Sequence, residues 1–344
     1  MRSALIRVGL AGYGLAGSVF HAPLIRACGR MELSAVLTSR DVPRRVGTLE
    51  ELLERSDLVV VATPNTTHFQ IAAAALNAGK HVVIDKPLTV TVQEADELIA
   101  LAKECESVLT VFHNRRWDSD FLTVQKVLPQ LGDVALFEAH WDRFRPEIKH
   151  GWREEPQPGG GVLSDLGPHM IDQALTLFGM PEAISGDVLA QRTGAEVDDF
   201  FDLTLHYVNR RVCLRCSTLV AQPRPRFAIH GTAGSFVKYG LDPQEAQLKS
   251  GMDPRDDGFA LDEKDGTLTF GDGRSGKVPS ERGNYLAFYE TVADAVLSGV
   301  SVPVVPADAR AGLLLIDLAR RATLLGQRLS VPAASSREAS APAA

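Results

Sequence analysis

The 344-residue sequence predicts an α/β protein in two parts. The first is a parallel sheet covered on both faces by helices. The second is an α+β part with a large, mostly antiparallel open sheet. Two observations carry this reading. From Leu5 to Phe112, unbroken apolar runs of strand length alternate with helical segments, a pattern that needs a sheet buried on both sides. Beyond about residue 118, apolar and polar residues alternate instead, as in strands with one solvated or subunit-paired face. The length agrees with two domains, at roughly 150 residues each.

Strands of the first part are expected at Leu5–Ala11, Leu33–Thr38, Leu58–Thr63, His81–Asp85 and Val108–Phe112. Helices are expected at Gly17–Cys28, Thr48–Arg55, His68–Ala78 and Gln93–Cys105. Thr48 with Glu51 three residues on has the form of a capping box, and Gly79 stops the third helix. The second part opens with a helix at Asp120–Leu128. Alternating strands follow at Ala135–Asp142, Ala183–Gln191, Phe200–Tyr207, Val212–Leu219 and Phe227–His230. A helix at Asp165–Phe178 interrupts them, and late helices lie at Asn284–Ser298 and Ala307–Leu325. Residues 250–282, rich in Gly and Asp, read as loops and a hairpin. The expected domains are 1–118 and 119–331, with the small, polar stretch 332–344 read as a disordered tail.

Composition excludes several function classes. Net charge is −7 and the pI is near 5.7, which argues against nucleic acid or an anionic membrane surface as a main partner. No run approaches 18 apolar residues. Met1–Leu10 leads directly into a strand without the apolar region of a signal peptide, so a cytoplasmic location is expected. Cys213 and Cys216 stand in a strand-like run. Three residues apart on a strand they point to opposite faces, badly placed to chelate one ion. Reduced thiols and no metal site are expected.

Gly12-Tyr13-Gly14-Leu15-Ala16-Gly17 follows the first strand and opens the first helix. In that context a Gly-x-Gly-x-x-Gly is the turn of a Rossmann dinucleotide-binding domain, with the helix N-terminus at the pyrophosphate. The second strand ends in Thr38-Ser39-Arg40-Asp41, where an NAD site usually places an acid for the ribose 2′-hydroxyl. Ser39 and Arg40 suit a 2′-phosphate, so NADP is expected, while Asp41 keeps NAD open.

Thr63-Pro64-Asn65-Thr-Thr-His68, followed by Ala78-Gly-Lys-His-Val-Val-Ile-Asp85-Lys86-Pro87, resembles the Gfo/Idh/MocA oxidoreductases. Their hallmark Glu-Lys-Pro is Asp85-Lys86-Pro87 here. The resemblance spans about residues 5–330. The stretches Gly14–His21, His113-Asn-Arg115-Arg116-Trp117-Asp118 and Asp165–Gln173 are similar to a subgroup of NADP-dependent scyllo-inositol dehydrogenases. The resemblance implies hydride transfer between a nicotinamide and a secondary hydroxyl or ketone of a cyclic polyol or sugar. It also implies a second domain that covers the cofactor and often pairs subunits, hence a homo-oligomer, dimer or tetramer. The glycine turn (Gly12, Tyr13, Gly14, Leu15), Thr63, Pro64, Asn65, His68, Asp85, Lys86, Arg115 and Trp117 are the expected cofactor contacts. Two other readings stay open: a reductase of a different carbonyl, and a non-catalytic dinucleotide-binding regulator.

Lys86 lies at a strand's carboxyl end, where open α/β sheets bind ligands, and its ammonium can stabilise a substrate oxygen. A surface Lys beginning a loop is the plain alternative. On the helix after Gly161, Asp165, His169, Asp172 and Thr176 fall on one polar stripe amid apolar residues, so they face partners or a cavity. His169, near its ordinary pKa, suits proton exchange near neutrality. Asp172 binds a substrate hydroxyl or orients His169. Asp165 reads also as a helix cap, and His169 as a core brace. In related inositol dehydrogenases a Lys, an Asp and a His four residues later act together. The first two map onto Lys86 and Asp172, while the His position is Thr176, a departure that leaves His169 as the candidate acid–base. Trp152 and Arg153, in a Pro/Gly-flanked loop, are expected near the site.

Overall fold

A computed structural model of the chain describes residues 5–149, 151 and 154–332; Trp152, Arg153 and the tail from residue 333 lie outside them. The first sheet holds β1 (Ile6–Ala11), β2 (Met31–Leu37), β3 (Arg45–Val46), β4 (Leu58–Val61), β5 (His81–Asp85) and β6 (Leu109–Phe112). Its order is β3-β2-β1-β4-β5-β6, with every pairing parallel. Val8, Leu10, Val59, Val60, Val83 and Ile84 are fully buried, as strands without alternation require. The strand order reverses between β1 and β4, and the carboxyl ends at Ala11 and Val61 are the switch point where open α/β sheets bind ligands. The two-residue β3 escaped the sequence reading because nothing that short is periodic.

Helices α1 (Ala22–Ala27), α2 (Leu49–Glu54), α3 (His68–Asn77) and α4 (Val92–Glu104) connect these strands. A π-helical segment, Ala16–His21, precedes α1. The capping box expected at Thr48 is only half formed: Thr48 accepts from the Glu51 N–H at 3.3 Å, but the Glu51 carboxylate turns to the N–H of Gly47 at 2.8 Å. The complete box lies at Thr91 and Glu94, ahead of α4.

After α5 (Ser119–Val127) the chain builds the second sheet. Its strands are β7 (Val134–Asp142), β8 (Ala183–Leu189), β9 (Phe200–His206), β10 (Arg211–Ser217), β11 (Phe227–Gly231), β12 (Gly234–Lys238), β13 (Gly266–Phe270), β14 (Ser275–Val278) and β15 (Leu329–Ser330). The order is β14-β13-β12-β11-β7-β10-β9-β8-β15, antiparallel except for β7 with β10. Helix α6 (Val162–Phe178) lies within this part, α7 (Gln244–Lys249) follows β12, and α8 (Leu286–Ser298) and α9 (Pro306–Leu325) come late. One face of the sheet packs on α6 and α9 through Phe137, Leu203, Leu214, Ile171, Leu315 and Ala319. The other face is polar. Arg215 bridges Asp202 at 2.9 Å and Glu138 at 2.5 Å, with Thr204 and Cys213 nearby. The outward positions of the strands near 200–219 thus carry an ion-pair ladder, in keeping with the alternation of apolar and polar residues there. Cys213 and Cys216 are free and buried, with only Cys216 in the second core.

Helix α8 packs not on this sheet but in the first core, where Phe288, Tyr289 and Val292 are fully buried beside Phe112. The two parts are thus joined through residues 113–118, through α8, and through α9, whose Ala309 lies in the first core and Leu315 in the second. Among the described residues, no helix is long and apolar enough to cross a membrane.

Tyr285, fully buried just before α8, ties the first two of these joints together. Its hydroxyl donates to Asp118 Oδ1 at 2.7 Å and accepts from Arg115 Nη1 at 2.8 Å. Tyr285→Phe leaves both partners short of a bond, and the expected loss is about 1–3 kcal/mol in denaturant unfolding. A variant as stable as the parent contradicts this role.

Candidate active site

The glycine turn has the shape a dinucleotide needs. Gly12 has φ of +95°, and a Cβ there would meet the Ala62 carbonyl at 2.4 Å. At Gly17 a Cβ would stand 2.2 Å from the Gly12 carbonyl, so the helix packs tightly on the turn. A Cβ at Gly14 meets nothing within 4 Å, so this position opens outward and lets a phosphate approach the backbone. Leu15 is half exposed beside it, and Tyr13 packs against the first core. These residues fit a pyrophosphate at the β1–β4 switch point.

Ser39 and Arg40 follow the end of β2 and are exposed. The Arg40 N–H donates to Thr38 Oγ1 at 3.2 Å, and its guanidinium has no partner among the described residues. Thr63, Pro64 and Asn65 follow β4, where Thr67 Oγ1 donates to Thr63 Oγ1 at 2.7 Å. His68, buried under this turn, sets its ring nitrogens 2.9 Å from the Pro87 carbonyl and 3.0 Å from the Thr63 carbonyl. It therefore clamps the strand-end turns of β4 and β5 together from beneath.

A cleft of about 260 Å³ lies between the two parts. Leu15, His21, Asp85, Lys86, Asn114 and Arg115 line it from one side, and Arg143, Arg145, Asp165, His169, Glu245 and Lys249 from the other. Lys86 closes β5 at its carboxyl end, and the bond to Pro87 is cis. The Lys86 ammonium donates across the cleft to the Asp165 carbonyl at 2.6 Å and to its carboxylate at 3.2 Å. The first turn of α6 is presented to Lys86 because Gly161 starts that helix with φ of +85°. Asp165 is thus the partner of Lys86 rather than a cap.

His169 stands one turn further along α6, nearly buried, stacked on Trp141 and edge-on to His113. Burial, with Lys86, Arg115 and His113 around it, pushes its pKa well below the ordinary 6.5. This corrects the expectation of a near-ordinary histidine: the ring is neutral at pH 7, and the same burial and cations oppose its protonation.

Asp172 does not reach the cleft. Arg116 holds it with two bonds, Nε to Oδ2 at 2.9 Å and Nη2 to Oδ1 at 2.6 Å, and also reaches Asp308 at 3.0 Å. Thr176 donates to the Asp172 carbonyl at 2.8 Å. The polar stripe therefore splits, with Asp165 and His169 facing the cleft and Asp172 facing the 113–116 segment. Neither arginine of that segment is a plain surface charge. Arg115, buried, pairs with Glu245 and stacks 4.9 Å over Trp141. Trp117 lies outside the cleft, packed edge-on against Phe288. Asn65 instead lines a separate cavity of about 500 Å³ behind Pro87.

Sequence reasoning missed Arg143, Arg145, Glu245 and Lys249. The first two follow β7 in Asp142-Arg143-Phe144-Arg145, where two charges at strand spacing were the available signal. Among the described residues no group of His, Cys, Asp or Glu is arranged to hold a metal ion.

Residues 6–113 match the family model described as an oxidoreductase family NAD-binding Rossmann fold, of the Gfo/Idh/MocA type. Residues 128–331 match the C-terminal alpha/beta domain of the same oxidoreductase family. Over 328 residues the chain is 45% identical to the uncharacterized oxidoreductase YdgJ of Escherichia coli, covering 91% of this chain and 95% of that one. It is 41% identical over 316 residues to the scyllo-inositol 2-dehydrogenase (NADP(+)) IolW of Bacillus subtilis, covering 87% and 88%. Among solved structures, yvaA from Bacillus subtilis superposes with a TM-score of 0.93 at 38% identity, over 96% of this chain and all of that one. An oxidoreductase from Bacillus cereus gives 0.87 at 30% identity, over 96% and 99%.

His21, fully buried at the edge of the cleft, generates a prediction about acid stability. It shares a hydrogen bond of 2.6 Å with the Tyr289 hydroxyl, and burial drives its pKa from 6.5 to about 4 against the pull of Asp85. Between those values the unfolded chain binds the proton more strongly. Its contribution is therefore intact above 6.5 and is lost as pH falls through 4, by up to about 3 kcal/mol. His113 and His169 shift in the same direction. The melting temperature should drop as pH is lowered from about 7 to about 5, less steeply in His21→Gln. A melting temperature that stays level across that range refutes the assignment.

Proposed function

Because the chain belongs to the Gfo/Idh/MocA oxidoreductases, we propose that it is an NADP-dependent dehydrogenase of a cyclic polyol or sugar, moving a hydride between the nicotinamide and a secondary hydroxyl or ketone. The observation that carries this reading is the pairing of the Lys86 ammonium with a neutral, buried His169 on one cleft beyond the carboxyl end of β5. The name of the IolW relative supports the polyol and the cofactor. Arg40 and Ser39, exposed where an NAD site carries an acid, support the 2′-phosphate.

A dinucleotide held by its pyrophosphate at the glycine turn would supply the hydride acceptor or donor through its nicotinamide. The chain's own groups handle the proton and the charge. In the oxidative direction the imidazole of His169 takes the hydroxyl proton while Lys86 stabilises the oxygen as negative charge develops on it. In reduction the proton returns to the oxygen by the same route. Asp165 holds the Lys86 ammonium in place through its carbonyl and carboxylate. Asp172 is a positioning residue: by gripping Arg116 it fixes the segment that delivers His113 and Asn114 to the site. Lys86 and His169 favour an enzyme over a regulator, which has no need of a base beside an ammonium.

Lys86→Ala and His169→Ala should each lower kcat by about a hundredfold or more, with NADP affinity little changed. Either variant with near-parental turnover on a polyol or keto-sugar substrate refutes that residue's role. Calorimetric titration should show tighter binding of NADP than of NAD. Arg40→Asp should weaken NADP by more than about tenfold, since a charged hydrogen bond contributes about 1.5–3 kcal/mol. Equal binding of the two cofactors contradicts the NADP assignment.

A further inference from the structure

The far wall of the cleft carries more positive charge than a neutral polyol requires. Beyond Asp142 the backbone stays extended. The Arg143 N–H donates to the Ser217 carbonyl at 2.9 Å, the Arg145 N–H donates to the Thr218 carbonyl at 2.7 Å, and Phe144 bridges to Leu219. With period two, Arg143 and Arg145 point the same way and Phe144 the opposite way. Both arginines line the cleft, and Phe144 is 60% exposed. The backbone bonds hold the pair in place before any ligand arrives.

The other cations of the cleft are neutralised. Lys86 has Asp165, Arg115 has Glu245 and Asp118, and Lys249 has Glu245 at 2.5 Å. The guanidiniums of Arg143 and Arg145 have no hydrogen bond or ion pair among the described residues. Arg143 is half-buried, and burial together with the charge of Arg145 lowers its pKa, so it is held charged at a cost. Two unpaired guanidinium forks, that of Arg143 half-buried and that of Arg145 exposed at the mouth of the cleft, match a carboxylate or a phosphate monoester.

We propose that Arg143 and Arg145 form an anion subsite, and that the preferred substrates are polyols or sugars bearing a carboxylate or phosphate group. This rests on the dehydrogenase reading above and narrows its substrate class. The anion is received on the wall formed by the second sheet, while the carbinol carbon is left beside Lys86 and His169. No bond to the anion is made or broken; it orients the ring.

The test compares matched sets: glucose, glucuronate and glucose 6-phosphate, and an inositol with its monophosphate. Each is assayed with NADP by the absorbance of the reduced nicotinamide, in the parent and in an Arg143→Ala/Arg145→Ala double variant. The parent should prefer an anionic member of a set by about tenfold or more in kcat/KM. The double variant should lose that preference, with neutral members changed by less than about threefold and the NADP Kd by less than about twofold. The carboxylate and phosphate arms decide which anion is favoured. Turnover confined to neutral members, equal in parent and variant, overturns the subsite and leaves the dehydrogenase reading standing. A large loss of NADP affinity in the variant also overturns it, assigning the arginines to the cofactor phosphates. If no polyol of either kind reacts, the dehydrogenase reading fails. The subsite is then decided by calorimetry of inorganic phosphate and of acetate with the NADP-loaded protein. Binding abolished by the double substitution supports the subsite, and equal or absent binding overturns it.

Discussion

The bond of Lys86 to Asp165 is the contact around which the molecule is arranged. Lys86 ends a buried strand of the first sheet, and Asp165 lies in the first turn of the helix that backs the second. An ammonium held by a carbonyl and a carboxylate is fixed in direction as well as charge. Several contacts help place the elements that carry these two residues. His68 ties the turns after β4 and β5 together from below, Gly161 allows α6 to begin where it does, and α8 crosses back to anchor the second part in the first core.

Around that bond the charges are sorted by burial. Arg115 and Arg116 are adjacent in sequence yet serve different partners: Arg115 meets Tyr285 and Glu245 at the joint with α8, and Arg116 holds Asp172 and Asp308. Burial opposes the charge of Glu245, but Arg115 and Lys249 keep its pKa at about 2. Removing one member of such a pair leaves the other charged and buried, which is costly even where the intact pair contributes little. The consequence for His169 is direct. Buried among cations, it stays neutral, and its protonated form is disfavoured until negative charge develops on the substrate oxygen beside it.

The parallel sheet was legible because its strands are apolar throughout and because Gly12, Gly14 and Gly17 stand between a strand and a helix. Lys86 was legible from its strand-end position and the Lys-Pro that follows. The stripe on α6 placed Asp165, His169 and Asp172 on one face, but a helical face does not say what packs on it. Arg116 arrives from a segment distant in sequence and removes Asp172 from the cleft. The pKa of His169 was misread for the same reason, since burial is a property of the assembled parts. Strand β12 and helix α7 are short and weakly patterned, and the pairing of Arg215 with Asp202 and Glu138 on the outward face of the second sheet depends on cross-strand register that no single segment encodes. Arg143 and Arg145 stand two apart in the sequence, but only the fold turns both toward the cleft.

The central claim is that this cleft transfers hydride with Lys86 stabilising the substrate oxygen. A single-turnover experiment with a polyol deuterated at the reacting carbon tests it most directly. The parent protein with NADP should deliver the deuterium to the nicotinamide, with a primary isotope effect on the observed rate. Lys86→Met, still saturated with NADP, should slow that transfer by about a hundredfold or more. Deuterium transfer at the parental rate in Lys86→Met, or none in the parent with any polyol or sugar, would contradict the account.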